Sequence, residues 1–114
     1  MMKFLNLEEL KFDSRGLLPV VVQDVHTREV LMLAYMNRQA LELTLRSGEM
    51  VFWSRSRQSL WHKGETSGNV QRLIALCVDC DADCLLALVE PSGPACHTGN
   101  PTCFYRTLEA KEWG

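Results

Sequence analysis

Cys77-Val78-Asp79-Cys80-Asp81-Ala82-Asp83-Cys84 sets three carboxylates among three cysteines, and Cys96, His97 and Cys103 follow. Carboxylates suit hard cations such as magnesium, and thiolates suit zinc. A calcium loop of the EF-hand type would need glycine where Cys84 stands, between helices rather than apolar runs. A redox Cys-x-x-C wants its first cysteine at a helix N-terminus, whereas Cys77 follows Leu73-Ile74-Ala75-Leu76 and precedes acids that raise a thiol pKa. A closed zinc site needs a second Cys-x-x-C, which Cys96 and Cys103 do not form. A zinc deaminase needs His-x-Glu and Pro-Cys-x-x-Cys, and neither is present.

If the segment is extended, Asp79, Asp81 and Asp83 face one way and Cys80 the other. The three carboxylates then form a magnesium site, and Cys80 is free to join a soft one. Its expected companions are Cys96 and Cys103, in a polar, irregular segment. Three thiolates leave one coordination position for water, the arrangement of catalytic rather than structural zinc. Alternatively, Asp81-Ala82-Asp83 is the tip of a hairpin, where the carboxylates can still converge on a cation.

A second constellation is basic. Arg55 and Arg57 alternate with Ser54 and Ser56, and Lys63-Gly64-Glu65-Thr66-Ser67-Gly68-Asn69 follows. Guanidinium forks, an ammonium, hydroxyls and glycine-exposed N–H groups are what phosphate binding uses. Arg55, Arg57, Lys63, Thr66, Ser67 and Asn69 are therefore the candidate phosphate residues. Trp53 and Trp61 among these charges suit either base stacking or the core.

The elements that must position these groups are mostly strands. Leu17–Val22 and Val30–Tyr35 read as a hairpin around a polar turn at 24–29. Asn37 is a helix N-cap and Gly48 the left-handed C-terminal stop. Between them Ala40, Leu41, Thr44 and Leu45 share one face, with Glu42 and Arg46 paired on another. Met50–Trp53 is a strand, and most of 54–69 is loop. Val70–Val78 and Cys84–Val89 form a hairpin around Asp79–Asp83. The segment 91–101, with three prolines and two glycines, is loop, and Thr102–Leu108 is a last strand. The expected class is α+β, mainly antiparallel β with one clear helix, in one compact domain over 1–114. Met1–Phe12 is left unassigned.

A chain of 114 residues and 46% hydrophobic content suits one domain, which a metal or partner subunit would help stabilise. A net charge of -2 argues against nucleic acid or anionic membrane as the partner. No apolar run approaches a membrane span, and the N-terminus lacks a signal-peptide core. The expected location is cytoplasmic, where the five cysteines stay reduced.

Six ordered segments carry a resemblance: Met32–Asn37, Phe52–Arg57, Leu60–Asn69, Asp79–Asp83, Gly93–Gly99 and Cys103–Tyr105. Over about residues 16–106 the sequence closely resembles phosphoribosyl-AMP cyclohydrolases of histidine biosynthesis, departing at Ala82, where that family would carry glycine. The resemblance implies an intertwined homodimer with zinc and magnesium. It implies zinc on Cys80 of one subunit with Cys96 and Cys103 of the other, and magnesium on Asp79, Asp81 and Asp83. Cys77 and Cys84 match no ligand and are expected to be core thiols. The implied reaction opens the adenine ring of a nucleotide substrate at N1–C6, with zinc-activated water attacking C6. His97, beside Cys96, is the candidate general acid–base; its alternative is a hydrogen bond to the zinc shell. His62 is a weaker candidate, and His26 is a turn residue. In many relatives a pyrophosphohydrolase domain follows; here that activity is expected from a separate protein. The competing possibilities are a zinc-stabilised binding module with a saturated metal shell and a different zinc hydrolase acting on purine nucleotides.

Overall fold

In the computed structural model, which describes residues 4–109, every second residue of β1 (Leu18–Asp24) points inward. Leu18, Val20 and Val22 are fully buried, as are Leu85, Ala87 and Val89 of β6 (Leu85–Pro91). This period-two pattern is that of a sheet with one face on a core. The four-stranded sheet runs β2-β1-β6-β5, where β2 is Val30–Met36 and β5 is Gln71–Val78. Pairs β1–β2 and β5–β6 are antiparallel; β1 and β6 are parallel, with Val20 opposite Leu85 and Val22 opposite Ala87. The class is α+β and mainly antiparallel, with that one parallel pair at the centre.

Helix α1 (Arg38–Ser47) is bounded as its caps require. The Asn37 side chain accepts from the Ala40 N–H at 2.8 Å, and Gly48, at φ 80°, donates to the Thr44 carbonyl at 2.9 Å. Ala40, Leu41 and Thr44 are buried, but Leu45 is half exposed. Glu42 pairs with Arg38, at 3.4 Å, rather than with Arg46, and Arg38 also forks onto Glu8 at 2.7 and 3.2 Å. Glu8 lies in a single 3-10 turn, Leu7–Glu9, closed by an Asn6 capping box. Thr44 joins α1 to β3 (Val51–Ser54): its buried hydroxyl accepts from the Val51 N–H at 2.9 Å and donates to the Val51 carbonyl at 3.2 Å.

The structure refines several sequence expectations. The 54–69 segment is mostly loop as expected but also contains a strand, β4 (Ser59–His62), antiparallel to β3. Thr102–Leu108 is not a strand: Cys103 N–H reaches the Leu31 carbonyl at 2.7 Å, but no ladder follows, and Phe104, Tyr105 and Leu108 are exposed. Asp79–Asp83 takes the second of the two expected forms, the tip of the β5–β6 hairpin rather than an extended segment, with Ala82 at φ 60°. Asp79 Oδ1 accepts from the Asp83 and Cys84 N–H groups at 3.0 and 3.2 Å, which curls the segment and ends the alternation of faces. Cys77 and Cys84 are half-buried rather than fully in the core.

Candidate active site

Beyond β6 the chain folds into a tight loop. Cys96 N–H donates to the Asn100 carbonyl and Gly99 N–H to the Cys96 carbonyl, at 3.2 and 3.0 Å. The Thr102 hydroxyl fastens this loop to the edge of the sheet by donating to the Val30 carbonyl at 2.7 Å. Cys96 is thereby buried and Cys103 brought beside it, close enough for their sulfurs to hydrogen-bond. The Thr98 hydroxyl donates to Cys96 Sγ at 3.0 Å. That bond, with smaller contributions from Cys103 and the Lys63 ammonium, holds the Cys96 thiol below its ordinary range. Burial, then the charge of Cys96, pushes Cys103 up. One thiol poised for ionisation beside a second is the half of a zinc shell that this loop can supply.

The thiols open onto a cavity of about 600 Å³ whose lining includes His97, His62, Arg57, Lys63, Thr66, Ser67 and Asn69. The volume suits a nucleotide-sized ligand. Strand β4 delivers Trp61, His62 and Lys63 to one wall. Trp61 packs on the buried Phe52, ring centroids 5.5 Å apart, with Lys63 Nζ 5.7 Å from its own ring. Past Lys63 the chain turns at Gly64 (φ 83°) and closes with Gly68 N–H on the Gly64 carbonyl at 2.8 Å. Among the described residues the Thr66 and Ser67 N–H groups have no backbone acceptor, so two amides and the Thr66 hydroxyl stand free for an anion, while the Ser67 hydroxyl accepts from the Asn69 N–H at 3.1 Å.

A family model for phosphoribosyl-AMP cyclohydrolase matches residues 32–105, the segment that builds this cavity. The chain belongs to the phosphoribosyl-AMP cyclohydrolase family. It is 62% identical over 104 residues to a phosphoribosyl-AMP cyclohydrolase of Archaeoglobus fulgidus, covering 91% of this chain and 96% of that one. It is 58% identical to that of Cereibacter sphaeroides over 90% of this chain and 87% of the relative. A histidine biosynthesis bifunctional protein HisIE of Thermus thermophilus is 57% identical over 91% of this chain, which spans 49% of that longer protein.

Not every sequence-designated residue of this family member meets in the cavity. The arginines diverge. Arg57 lines it, its Nε donating to Ser54 Oγ at 3.4 Å and its guanidinium 6.0 Å from the Trp61 ring. Arg55 lies 3.9 Å over the Tyr35 ring in a neighbouring cavity of about 360 Å³, bounded also by Trp53, Ser54 and Ser56. The two cavities share Met32 and Trp61 as walls.

Cys80, Asp79, Asp81 and Asp83 are elsewhere, exposed on the β5–β6 turn. The turn lies beyond the Leu85–Val20–Ala34 row, while Cys103 docks on Leu31, two strands across and further along. Strand spacing and rise put the two sulfur positions on the order of 15 Å apart, whereas thiolates on one zinc stand within about 5 Å. Among the described residues no three His, Cys, Asp or Glu groups converge to hold a metal. On the turn, Asp83 shares a hydrogen bond with Asp79, and this bond, desolvation and the charges of Asp79 and Asp81 push its carboxyl up. Asp79 and Asp83 thus lie side by side on the turn, but among the described residues no third carboxylate converges with them.

Sequence reasoning missed three partners. Thr98, the thiol's hydrogen-bond donor, was legible only as a hydroxyl two residues after Cys96. Glu49, two residues before the Val51 that pairs with His62, holds His62 Nε2 at 2.7 Å, and Tyr35 carries Arg55; no local pattern announces either. His26 is in the expected turn, 2.7 Å from Glu90.

Proposed function

We propose that this chain hydrolyses the N1–C6 bond of the adenine ring of 1-(5-phosphoribosyl)-AMP, giving the phosphoribosylformimino-aminoimidazole carboxamide ribotide. The observation that carries this reading is the meeting of a thiol pair, a histidine and a free-amide anion loop in one cavity. Family membership and the relatives named as cyclohydrolases support it.

Each residue has a task. Lys63, Thr66, Ser67 and Arg57 hold one phosphate in the main cavity. Arg55, with Ser54 and Ser56, receives the other arm next door. Trp61, the shared wall, lies where the base spans the two. His97, exposed on the cavity rim beside Cys96, moves the proton that N1 must gain as the bond to C6 breaks. Cys96 and Cys103 would hold zinc together with Cys80 from a second copy of the chain, since Cys80 of the same copy lies too far away. Zinc, when bound, supplies the Lewis acidity that makes water nucleophilic near neutral pH. Asp79, Asp81 and Asp83 would hold magnesium.

A homodimer would complete the zinc ligand set that one copy does not bring together. The five free cysteines fit a reducing, cytoplasmic compartment. No helix among the described residues is long and apolar enough to cross a membrane.

The test is turnover. Purified protein is mixed with phosphoribosyl-AMP and the ultraviolet change on ring opening is followed, before chelation, after it, and with zinc or magnesium restored. Ring opening lost on chelation and restored by zinc is expected; no turnover by fully metallated protein would overturn the proposal.

A further inference from the structure

Asn69 ends the anion loop, one residue before the chain rejoins the sheet. The β5–β6 ladder ends with Gln71 opposite Pro91, and Ser92 N–H extends it by donating to the Val70 carbonyl at 2.9 Å. The next pair in that register is Asn69 opposite Gly93. The missing side chain of Gly93 is what Asn69 uses: a Cβ there would lie 2.3 Å from Asn69 Oδ1 and 2.9 Å from Cγ. The other side of Asn69 is equally tight. A Cβ on Gly64 would lie 2.3 Å from the Asn69 carbonyl carbon and from Val70 N. Asn69 is thus wedged between two glycines, its backbone against Gly64 and its carboxamide over Gly93. Gly64 follows Lys63 directly; Gly93 precedes Cys96 by three residues, with rigid Pro94 between.

We propose that Asn69 is a positioning residue: it spaces the loop that carries Lys63, Thr66 and Ser67 from the loop that carries Cys96 and His97. Its carboxamide acts through Gly93 on the thiol loop, not on phosphate. The kinetic consequence rests on the cyclohydrolase reading; the spacing itself does not. A displacement of about 1 Å between groups that must act together costs on the order of a hundredfold in rate.

The test is a double-mutant cycle of Asn69→Ala, Gly93→Ala and the pair. Gly93→Ala adds a methyl group that evicts the carboxamide, and Asn69→Ala deletes the carboxamide itself. Each single variant is expected to lower kcat about 10- to 100-fold with KM changed less than about threefold. In metal-free protein each is also expected to speed iodoacetamide labelling of Cys96, read by peptide mass spectrometry. The double variant is expected to be no worse than the worse single, because both act on one contact. The proposal is overturned if Asn69→Ala raises KM at unchanged kcat and unchanged Cys96 labelling, as a phosphate contact would. It is equally overturned if the two effects multiply. Melting temperatures identify a variant that fails to fold, and the other single then decides by the same two readouts. Should the wild-type protein turn over no substrate, the cyclohydrolase reading fails while Cys96 labelling still decides the wedge.

Discussion

Replacing Lys63 by methionine separates binding from stability. Lys63 is only 7% exposed, and among the described residues no carboxylate lies within ion-pairing distance of it. Its ammonium faces the Trp61 ring, at 5.7 Å, and the cavity. A buried cation without a counterion contributes little to the fold; what it awaits is an anion. Methionine keeps most of the stem and its packing, a change of near-constant volume. The lost charge-assisted bond to phosphate costs about 1.5–3 kcal/mol, so kcat/KM should fall roughly 10- to 150-fold. Inhibition by inorganic phosphate should weaken in parallel. The melting temperature should stay within about 2 °C of wild type or rise, less than the shift expected for ~1 kcal/mol. Steady-state kinetics and thermal denaturation monitored by circular dichroism read both quantities. A fall of more than about 5 °C with kcat/KM within twofold would refute the reasoning and make Lys63 a strut of the fold.

Two further outcomes concern the scaffold. Thr44→Val keeps the shape of a fully buried side chain but removes both bonds to Val51, leaving its N–H unpaired; denaturant titration should show a loss of ~2–3 kcal/mol. Asp13 accepts from the Leu17 and Arg15 N–H groups at 2.9 and 2.8 Å, and these bonds, Leu17 first, hold its carboxyl below the usual range. A depressed carboxyl stabilises the fold above its unfolded pKa, and that contribution is lost as pH falls through the folded value. The melting-temperature gap between wild type and Asp13→Ala should therefore be full at neutral pH and narrow as pH falls below the ordinary aspartate range.

The parts legible in the sequence were those governed by neighbours. Asn37 and Gly48 cap their helix because capping needs only the next three or four residues. The hairpin turns and the 63–69 loop are marked by glycine and polar side chains at the places where the chain reverses. What was not legible is non-local. Nothing near Val20 says that its parallel partner is Leu85, or near Arg38 that Glu8, brought up by an N-terminal turn, is its partner. Thr102–Leu108 has strand-like composition, but the single bond from Cys103 to the edge of β2 cannot propagate a ladder. The same limit applies within the site. The residue types singled out the cysteines, the histidine and the basic loop, and the structure places Cys96, Cys103, His97 and the 63–69 loop on one cavity. That Arg55 and Arg57 part company at a tight turn, and that Cys80 lies across the sheet from Cys96, is set by tertiary geometry.

That separation is the crux of the proposed zinc site, whose three cysteines one chain alone does not bring together. Cys80→Ala and Cys96→Ala proteins should each be inactive alone. Co-expressed, they should assort at random, and half of the dimers should combine an intact Cys80 from one copy with intact Cys96 and Cys103 from the other. Each mixed dimer regains one complete site, so activity should return to about a quarter of wild type. Ring opening that stays at the background of the single variants, with mixed dimers demonstrably formed, would contradict a zinc site shared between two copies.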